Sequence, residues 1–252
     1  MPISATEDPQ PILELDEVTA GYGAMTVLNG LSLRIRRGAI TTIIGPNGAG
    51  KSTVFKTVFG LLAPRQGRIR FDGTLTTGAT PRRLIDLGMC YIPQGRNIFP
   101  TLSVRHNLEL GAVALTSAAE IGSRIEASIQ RFPVLAAKAD RQASTLSGGE
   151  QKLLEIARGL LTQPKLLLID EPSIGLSPIM VERIFSILSE LRAGGTSILM
   201  VEQNARSALQ ISDDGLVLEL GRVRMAASAE ALLNDPRVGQ LFLGGTSGAS
   251  AA

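Results

Sequence analysis

A glycine-rich segment that ends in Lys-Ser has the residue types and spacing needed to hold a triphosphate. Residues 45–52 read "GPNGAGKS" and follow the apolar run "AITTII". In a loop of this kind, backbone N–H groups and the N-terminus of the next helix face the phosphates. Lys51 would reach the β- and γ-phosphate oxygens, and the Ser52 hydroxyl would bind Mg²⁺. The predicted binding residues are Gly45, Pro46, Asn47, Gly48, Ala49, Gly50, Lys51, Ser52 and Thr53.

By itself this motif predicts only a purine nucleoside triphosphate, and a glycine-rich turn that binds nothing is the alternative. A second apolar run, "LLLIDEP", places Asp170 and Glu171 where the run ends. In open α/β sheets, ligands gather outside the carboxyl ends of the strands. Asp170 is therefore predicted to contact Mg²⁺, directly or through water, and Glu171 to orient and deprotonate an attacking water. Without the phosphate loop, a solvated acidic turn would be the better interpretation.

The segment "LSGGEQ" (146–151) stands before the helical pattern "QKLLEIARGLL". Ser147 with Glu150 three residues later forms a capping box, which explains the start of a helix but not the paired glycines. Gly148 and Gly149 would leave the first backbone N–H groups of that helix open to a phosphate.

The elements that must position these residues alternate between short apolar runs and helical patterns, which indicates an α/β fold with a largely parallel central sheet. Residues 39–45, 166–170 and 196–202 are apolar on both faces and are predicted as buried strands. The segments "LELDEVTAGYG", "LSLRIRRG" and "GRIRFDG" alternate in polarity and predict an antiparallel subdomain. Strand patterns are absent from about 101 to 162, where residues 117–139 predict helix.

Composition excludes several classes of protein. The 252 residues include 25 basic and 23 acidic side chains, and aromatic residues make up only 4% of them with no Trp. A chain so balanced in charge and so poor in stacking residues is not expected to bind nucleic acid. The single cysteine, Cys90, excludes an internal disulfide and is expected to be a buried structural thiol. No apolar stretch approaches the 18 residues needed to span a membrane.

These motifs together resemble those of the ATP-binding cassette family, whose signature is LSGGQ or LSGGE. The resemblance runs from about residue 13 to residue 243. It implies a nucleotide-hydrolase core at about 12–94 and 164–243, with the antiparallel β-subdomain at its front and a helical signature subdomain at about 95–163. Residues 1–11 and 244–252 are expected to be a flexible lead-in and tail.

The resemblance also implies roles for further residues. Tyr22 in "AGYGAMTVL" matches the aromatic side chain that stacks on adenine, although taken alone a turn tyrosine is equally consistent. Gln94 in "YIPQG" matches a glutamine near the metal and the lytic water. Ser147, Gly148, Gly149 and Glu150 would close over ATP·Mg²⁺ held by a second cassette subunit, identical or paralogous. Arg96 and Phe99 would lie near the contact with a membrane permease, unless this segment is an ordinary surface loop with one buried Phe.

Two motifs depart from the family pattern. Ser177 in "SIGLSP" stands where the loop after Glu171 usually has an aspartate. Aligning "ILMVEQN" on the family's strand and "THD" places Gln203 at the position of a histidine. Glutamine can hydrogen-bond the γ-phosphate or orient water but does not titrate near pH 7. The alternative is that Gln203 only caps a strand end, and the one histidine, His106, is expected to be solvated.

The segments "VEQN", "EPSIGLSP" and "GRNIFP" resemble the smaller ATPase subunit of importers for branched-chain and other hydrophobic amino acids. Such a subunit would lie on the cytoplasmic face of the plasma membrane and would meet an external solute-binding protein only indirectly. A related branch that serves urea and short amides is the first alternative. A soluble cassette ATPase that acts as an assembly factor is the second, and a nucleotide sensor without turnover is the third. The paired cassettes or long coiled coil of DNA-maintenance and ribosome-associated members do not fit in 252 residues.

Overall fold

The computed structural model describes residues 10–115 and 117–242, with the backbone alone for 240–242. The lead-in expected at 1–11 therefore lies outside the described residues except for its last two positions, and the tail expected at 244–252 lies wholly outside them.

The strands are β1 (Leu13–Tyr22), β2 (Met25–Ile35), β3 (Ile40–Ile44), β4 (Gln66–Phe71), β5 (Thr74–Leu75), β6 (Met89–Ile92), β7 (Leu166–Asp170), β8 (Ser197–Val201), β9 (Asp214–Glu219) and β10 (Arg222–Ser228). The helices are α1 (Lys51–Val58), α2 (Pro81–Asp86), α3 (Val104–Gly111), α4 (Ala118–Arg131), α5 (Pro133–Ala136), α6 (Gly148–Leu160), α7 (Pro178–Ala193), α8 (Ala205–Gln210), α9 (Ala229–Leu233) and α10 (Pro236–Phe242).

The larger sheet confirms the predicted α/β fold. Its six strands lie in the order β10-β9-β3-β8-β7-β6, and all neighbours are parallel except β9 and β10. Every residue of β3, β7 and β8 is buried, as the apolar runs predict for strands covered on both faces. Because parallel strands end at one edge, the residues that follow β3, β6, β7 and β8 meet there.

A smaller antiparallel sheet confirms the subdomain expected near the front of the chain. Its strands lie in the order β2-β1-β4-β5, and β1 pairs with both β2 and β4. The side chains of β1 and β4 that point inward pack with α1 and with one face of the larger sheet in a single apolar cluster. This packing holds the end of β1, and with it Tyr22, beside α1, the helix that follows the phosphate loop.

Residues 104–160 are mainly helical, inside the segment 95–163 that we predict to form the helical subdomain. The helical pattern of residues 117–139 is divided in two, because Pro133 fits only the first turn of a helix and α4 ends before it. Buried residues of α3, α4 and α6 share one apolar cluster with β7, β8 and α7. The helical segment is thus packed continuously onto the sheet.

Cys90 and His106 are not among the residues predicted to form the site. The Cys90 residue is partly buried beside α6, and burial raises the pKa of its thiol to about 12. His106 is exposed on α3, as expected for a solvated histidine, with Nε2 4.0 Å from a Glu109 carboxylate oxygen.

Candidate nucleotide site

The phosphate loop lies between the end of β3 and the start of α1, in the order that the motif predicts. Gly45 is required by close packing, because a Cβ at this position would lie 2.2 Å from the carbonyl oxygen of Leu218. Gly48 has a φ of +80°, which side chains rarely adopt, and no atom would lie within 4 Å of its Cβ. Gly45 thus allows the loop to pack against β9, and Gly48 lies where the loop faces open space.

Lys51 lies across this loop from the first turn of α1. Its Nζ donates hydrogen bonds to the carbonyl oxygens of Gly45 at 2.8 Å and Pro46 at 3.0 Å. Burial lowers the pKa of Lys51, although the charges of Glu171 and Asp170 oppose the shift. The ammonium group is therefore held at the phosphate loop and lies near both carboxylates. A lysine that contacts the terminal phosphates is expected at this place.

Asp170 ends β7 and is 2% exposed, and its Oδ1 is buried without a hydrogen-bond partner. Burial raises the pKa of its carboxyl group, while the hydroxyls of Ser52 and Tyr91 and the charge of Lys51 favour the ionised form. A buried carboxylate oxygen left unsatisfied beside a serine hydroxyl is a suitable oxygen ligand for a divalent cation. Asp170 and Ser52, which stand 118 positions apart in the sequence, are thus brought together.

Glu171 follows Asp170 with its backbone in the left-handed region, at φ +47°. This conformation is uncommon for residues other than glycine and is often found at functional sites. The Glu171 N–H donates to the carbonyl of Val201 at 2.8 Å, and Gln94 Nε2 donates to Glu171 Oε2 at 2.7 Å. Burial and the neighbouring charge of Asp170 raise the pKa of Glu171, which suits a group that must accept a proton.

Gln203 follows the end of β8 at the same sheet edge and is exposed. Its backbone N–H donates to Glu202 Oε2 at 3.1 Å, and its carbonyl accepts from Ala205 N–H. No hydrogen bond of its side-chain amide is found with the described residues, so the amide is available at the edge where the carboxylates collect.

Sequence reasoning missed two residues at this edge. Tyr91 lies on β6 with its hydroxyl close enough to Asp170 to affect the pKa of that carboxyl. Glu202 is buried after β8 and bonds to Ser173 in the loop beyond Glu171. The signal for Glu202 was present, because a charged residue directly after a fully apolar strand is rarely buried without a purpose.

Tyr22 ends β1 and is 45% exposed. The Nζ atom of Lys56, on α1, lies 5.9 Å from the centre of its ring. The tyrosine is therefore an accessible aromatic face beside the helix that follows the phosphate loop, where an adenine ring could stack.

The predicted capping box at the signature is present. The Ser147 hydroxyl accepts from Glu150 N–H, and Glu150 Oε2 accepts from Ser147 N–H at 2.8 Å. Lys138 also donates to both Glu150 oxygens, and these bonds outweigh burial in lowering the pKa of Glu150. The structure adds a packing reason for Gly149, because a Cβ there would lie 2.7 Å from a side-chain carbon of Met180.

Residues 95–99 lie against one face of α6. Lys152 donates to the Gly95 carbonyl at 3.0 Å, and Glu155 accepts from the Asn97 N–H. The Arg158 guanidinium lies 5.7 Å from the centre of the Phe99 ring. Phe99 is 48% exposed, so the alternative interpretation is wrong about its burial, and the permease contact stays a prediction.

Comparison with known proteins decides the family. The profile of the ABC transporter family matches residues 28–174. The high-affinity branched-chain amino acid transport ATP-binding protein BraG of Pseudomonas aeruginosa is 39% identical, over 93% of this chain and 100% of that protein. The chain belongs to the ABC transporter family. The probable branched-chain amino acid transport ATP-binding protein LivF of Archaeoglobus fulgidus is 37% identical, over 92% of this chain and 99% of that protein.

Within the ABC transporter family, a solved ATP-binding cassette in its ADP conformation has a TM-score of 0.82 and 29% identity to this chain. The similarity covers 93% of this chain and 99% of that cassette. These likenesses confirm the predicted ABC ATPase fold, and they make this chain a nucleotide-binding ATP hydrolase. None of its described helices is long and apolar enough to cross a lipid bilayer.

Proposed function

We propose that this ABC transporter ATPase powers the import of branched-chain or other hydrophobic amino acids. The observation that carries the proposal is the likeness, over at least 92% of the chain, to two proteins named for branched-chain amino acid transport. The segments "GRNIFP", "EPSIGLSP" and "VEQN" favour the same branch. Because importers of urea and short amides have similar "VEQ" segments, these solutes are the second candidate.

The residues at the sheet edge support direct hydrolysis of ATP by water. Glu171 would accept a proton from the water while the water oxygen bonds to the γ-phosphorus and the bond to the β-phosphate oxygen breaks. Lys51 would stabilise the negative charge on the β- and γ-phosphate oxygens. The contact from Gln94 Nε2 to Glu171 Oε2 at 2.7 Å supports a role for Gln94 in orienting the base.

Mg²⁺ fits the donors near the phosphate loop. We assign Asp170, Ser52 and Gln94 as its contacts, with the unpartnered Asp170 Oδ1 as the main support. The described residues contain no group of three or more His, Cys, Asp and Glu side chains that could hold a metal ion, so phosphate oxygens would complete the coordination. When bound, the ion would neutralise part of the triphosphate charge.

A second cassette, identical or paralogous, would complete each site. One subunit would supply Tyr22, residues 45–53, Gln94, Asp170, Glu171 and Gln203, and the other would supply Ser147, Gly148, Gly149 and Glu150. Ser147 is exposed, and no hydrogen bond or ion pair among the described residues joins 147–150 to 45–53. Both carboxylate oxygens of Glu150 accept hydrogen bonds from Lys138 or Ser147 of the same chain. We therefore propose that Glu150 orients Ser147 and does not itself contact the nucleotide.

The permease would contact the region from Arg96 to Phe99. A groove of about 210 Å³ lies beside this segment and is lined by Leu110, Val113 and Arg158. Phe99, Leu110 and Val113 are all exposed apolar side chains, which a partner in the membrane could cover. Docking there would hold this chain on the cytoplasmic face of the membrane, where it meets a solute-binding protein only through the permease.

Reconstitution tests the proposal. The chain and its native permease subunits would be placed in vesicles with the solute-binding protein, and ATP-driven uptake of labelled leucine and urea would be compared. We expect uptake of leucine and not of urea, and none with a Glu171→Gln subunit. Uptake of urea alone would assign the second solute class, and purification from cytosol without permease would favour an assembly factor.

A further inference from the structure

Glu202 is a buried carboxylate that the hydrolysis described above does not use. It follows β8 and is 2% exposed. Its Oε1 accepts from Ser173 N–H at 2.8 Å, and its Oε2 accepts from the Ser173 hydroxyl at 2.8 Å and from Gln203 N–H at 3.1 Å. No ion pair among the described residues includes Glu202, so hydrogen bonds alone compensate for its burial.

These bonds join the loop that carries the proposed base, Glu171, to the end of β8. Glu171 N–H donates to the carbonyl of Val201 at 2.8 Å, and Glu202 is the first residue after that strand ends. Ser173 is the second residue after Glu171. The strained backbone at Glu171, with φ +47°, is therefore tied to the end of β8 on both of its sides.

A strained conformation persists only where its surroundings hold it. The Ile174 N–H donates to the Glu171 carbonyl at 3.3 Å, so the turn after Glu171 closes on itself, but this bond does not join the turn to β8. Glu202 joins this turn to the end of β8 through Ser173, and by accepting from Gln203 N–H it fixes the start of the next loop as well. A carboxylate provides two acceptor oxygens and no donor, which suits this point because two backbone N–H groups and a serine hydroxyl face it.

Burial of the Glu202 carboxyl has a cost. It raises the pKa of that group, while the bonds from Ser173 and Gln203 favour the charge. Replacing this group with an apolar side chain would leave the backbone N–H groups of Ser173 and Gln203 without an acceptor. The "THD" alignment puts threonine at this position, which could satisfy fewer of the three donors.

We propose that Glu202 is a positioning residue for ATP hydrolysis, which acts through Glu171 and Gln203 by fixing the loop 171–173 to the end of β8. The inference rests on the ATPase activity of the family. It assigns Glu202 no contact with nucleotide, so its loss should affect turnover and leave ATP affinity intact.

Steady-state ATPase kinetics and equilibrium ATP binding of the full chain test this role. Glu202→Gln keeps the size of the side chain, but in either orientation its NH2 group faces a backbone N–H, of Ser173 or of Gln203, which then loses its acceptor. We expect kcat to fall at least about tenfold, because small displacements of a catalytic group have effects of this size, and the ATP Kd to stay within about twofold. Glu202→Asp keeps both oxygens and should recover part of the lost kcat.

Ser173→Ala is the second variant, and it removes the hydroxyl that donates to Glu202 Oε2. Its kcat should fall about threefold or more, whereas Ser189→Ala removes a comparable hydroxyl bond in α7, to the Phe185 carbonyl at 3.0 Å, and should leave kcat unchanged. Combining Glu202→Gln with Ser173→Ala should cost no more than Glu202→Gln alone, since both break one connection.

A kcat within twofold of the wild type in folded Glu202→Gln, or a matched loss of ATP affinity, would overturn the proposal. If Glu202→Gln does not fold, an unchanged kcat in Ser173→Ala overturns it instead. An inactive wild-type chain would contradict the ATPase assignment and not the role of Glu202, so the two failures are distinguishable.

Discussion

At the scale of single residues, three carboxylates share one sheet edge and differ in what surrounds them. Asp170 has a buried oxygen without a partner, Glu171 is held by Gln94, and Glu202 is saturated by donors. Burial raises the pKa of each, and the charge of Asp170 adds to the effect at Glu171. Their roles divide accordingly into metal contact, base and positioning.

The roles of Glu171 and Lys51 are separable by two substitutions. Glu171→Gln removes the base but no phosphate contact, so the variant should bind ATP and hydrolyse it at least about a hundredfold more slowly. Lys51→Ala removes a charge from the phosphate loop and should abolish ATP binding. Nucleotide retention on a desalting column and phosphate release measure the two effects. Hydrolysis at the wild-type rate in both variants would contradict the site.

Gln203 sets an expectation for pH dependence. An amide does not titrate, so kcat of the wild type should lack a histidine-like limb near pH 6.5 that this position could cause. Gln203→His should create such a limb if the side chain faces the γ-phosphate. Pre-steady-state ATPase rates between pH 5.5 and 8.5 measure it, with wild type as the control. An unchanged profile would place Gln203 in a strand-capping role.

At the scale of elements, α6 combines the signature with contacts to the segment before it. Its first turn carries Ser147 as N-cap, and its side facing residues 95–99 carries Lys152, Glu155 and Arg158. Lys152 and Glu155 form a buried ion pair at 2.6 Å. The helix is thus fixed to the segment that we propose to contact the permease, so both would move together.

The N-cap of α6 provides a prediction with a matched control. Ser147→Ala and Ser117→Ala each remove a serine cap, at the starts of α6 and α4, and each should lower the free energy of unfolding by about 1 kcal/mol. Only Ser147→Ala should also reduce ATPase activity, because only that cap is proposed to face nucleotide. Chemical denaturation and ATPase assays separate the effects, and equal activity of the two variants would remove Ser147 from the site.

At the scale of the whole molecule, Asp72 joins the two sheets. It follows β4 and pairs with Arg37 at 2.5 Å, after β2, and with Lys165 at 2.7 Å, before β7. Hydrogen bonds from Lys165 and Arg37 lower the pKa of Asp72 below its usual value of 3.8. These pairs are partly exposed, so each contributes modestly and is weakened by salt.

The sign of this shift predicts how stability depends on pH. A carboxyl group with a lowered pKa stabilises the fold above its usual pKa, and the contribution is lost as pH falls through the folded pKa. Asp72→Asn should therefore lower the melting temperature by about 2 °C at pH 7, and the difference should shrink below pH 3.8. Asp140→Asn, whose side chain is 94% exposed, is the control and should change little at either pH. A difference that is constant with pH would contradict the assignment.

The sequence by itself determined the features that are encoded within a few residues. The phosphate loop, the acidic pair after an apolar run and the capping box are local, because backbone N–H groups and caps act over three or four positions. Runs buried on both faces identified β3, β7 and β8, and alternation identified the antiparallel sheet. Resemblance then supplied Tyr22 and Gln94, which no local pattern predicts.

Only the tertiary structure decided which of these residues meet. The order of parallel strands is not readable from strand patterns, yet it brings Gln94 to Glu171 across 77 positions and Glu202 to Ser173 across 29. The tertiary structure also shows that Gly149 packs against Met180 and that Phe99 is exposed. The physical reason is that burial and hydrogen-bond partners at a sheet edge depend on neighbouring strands, which are distant in sequence.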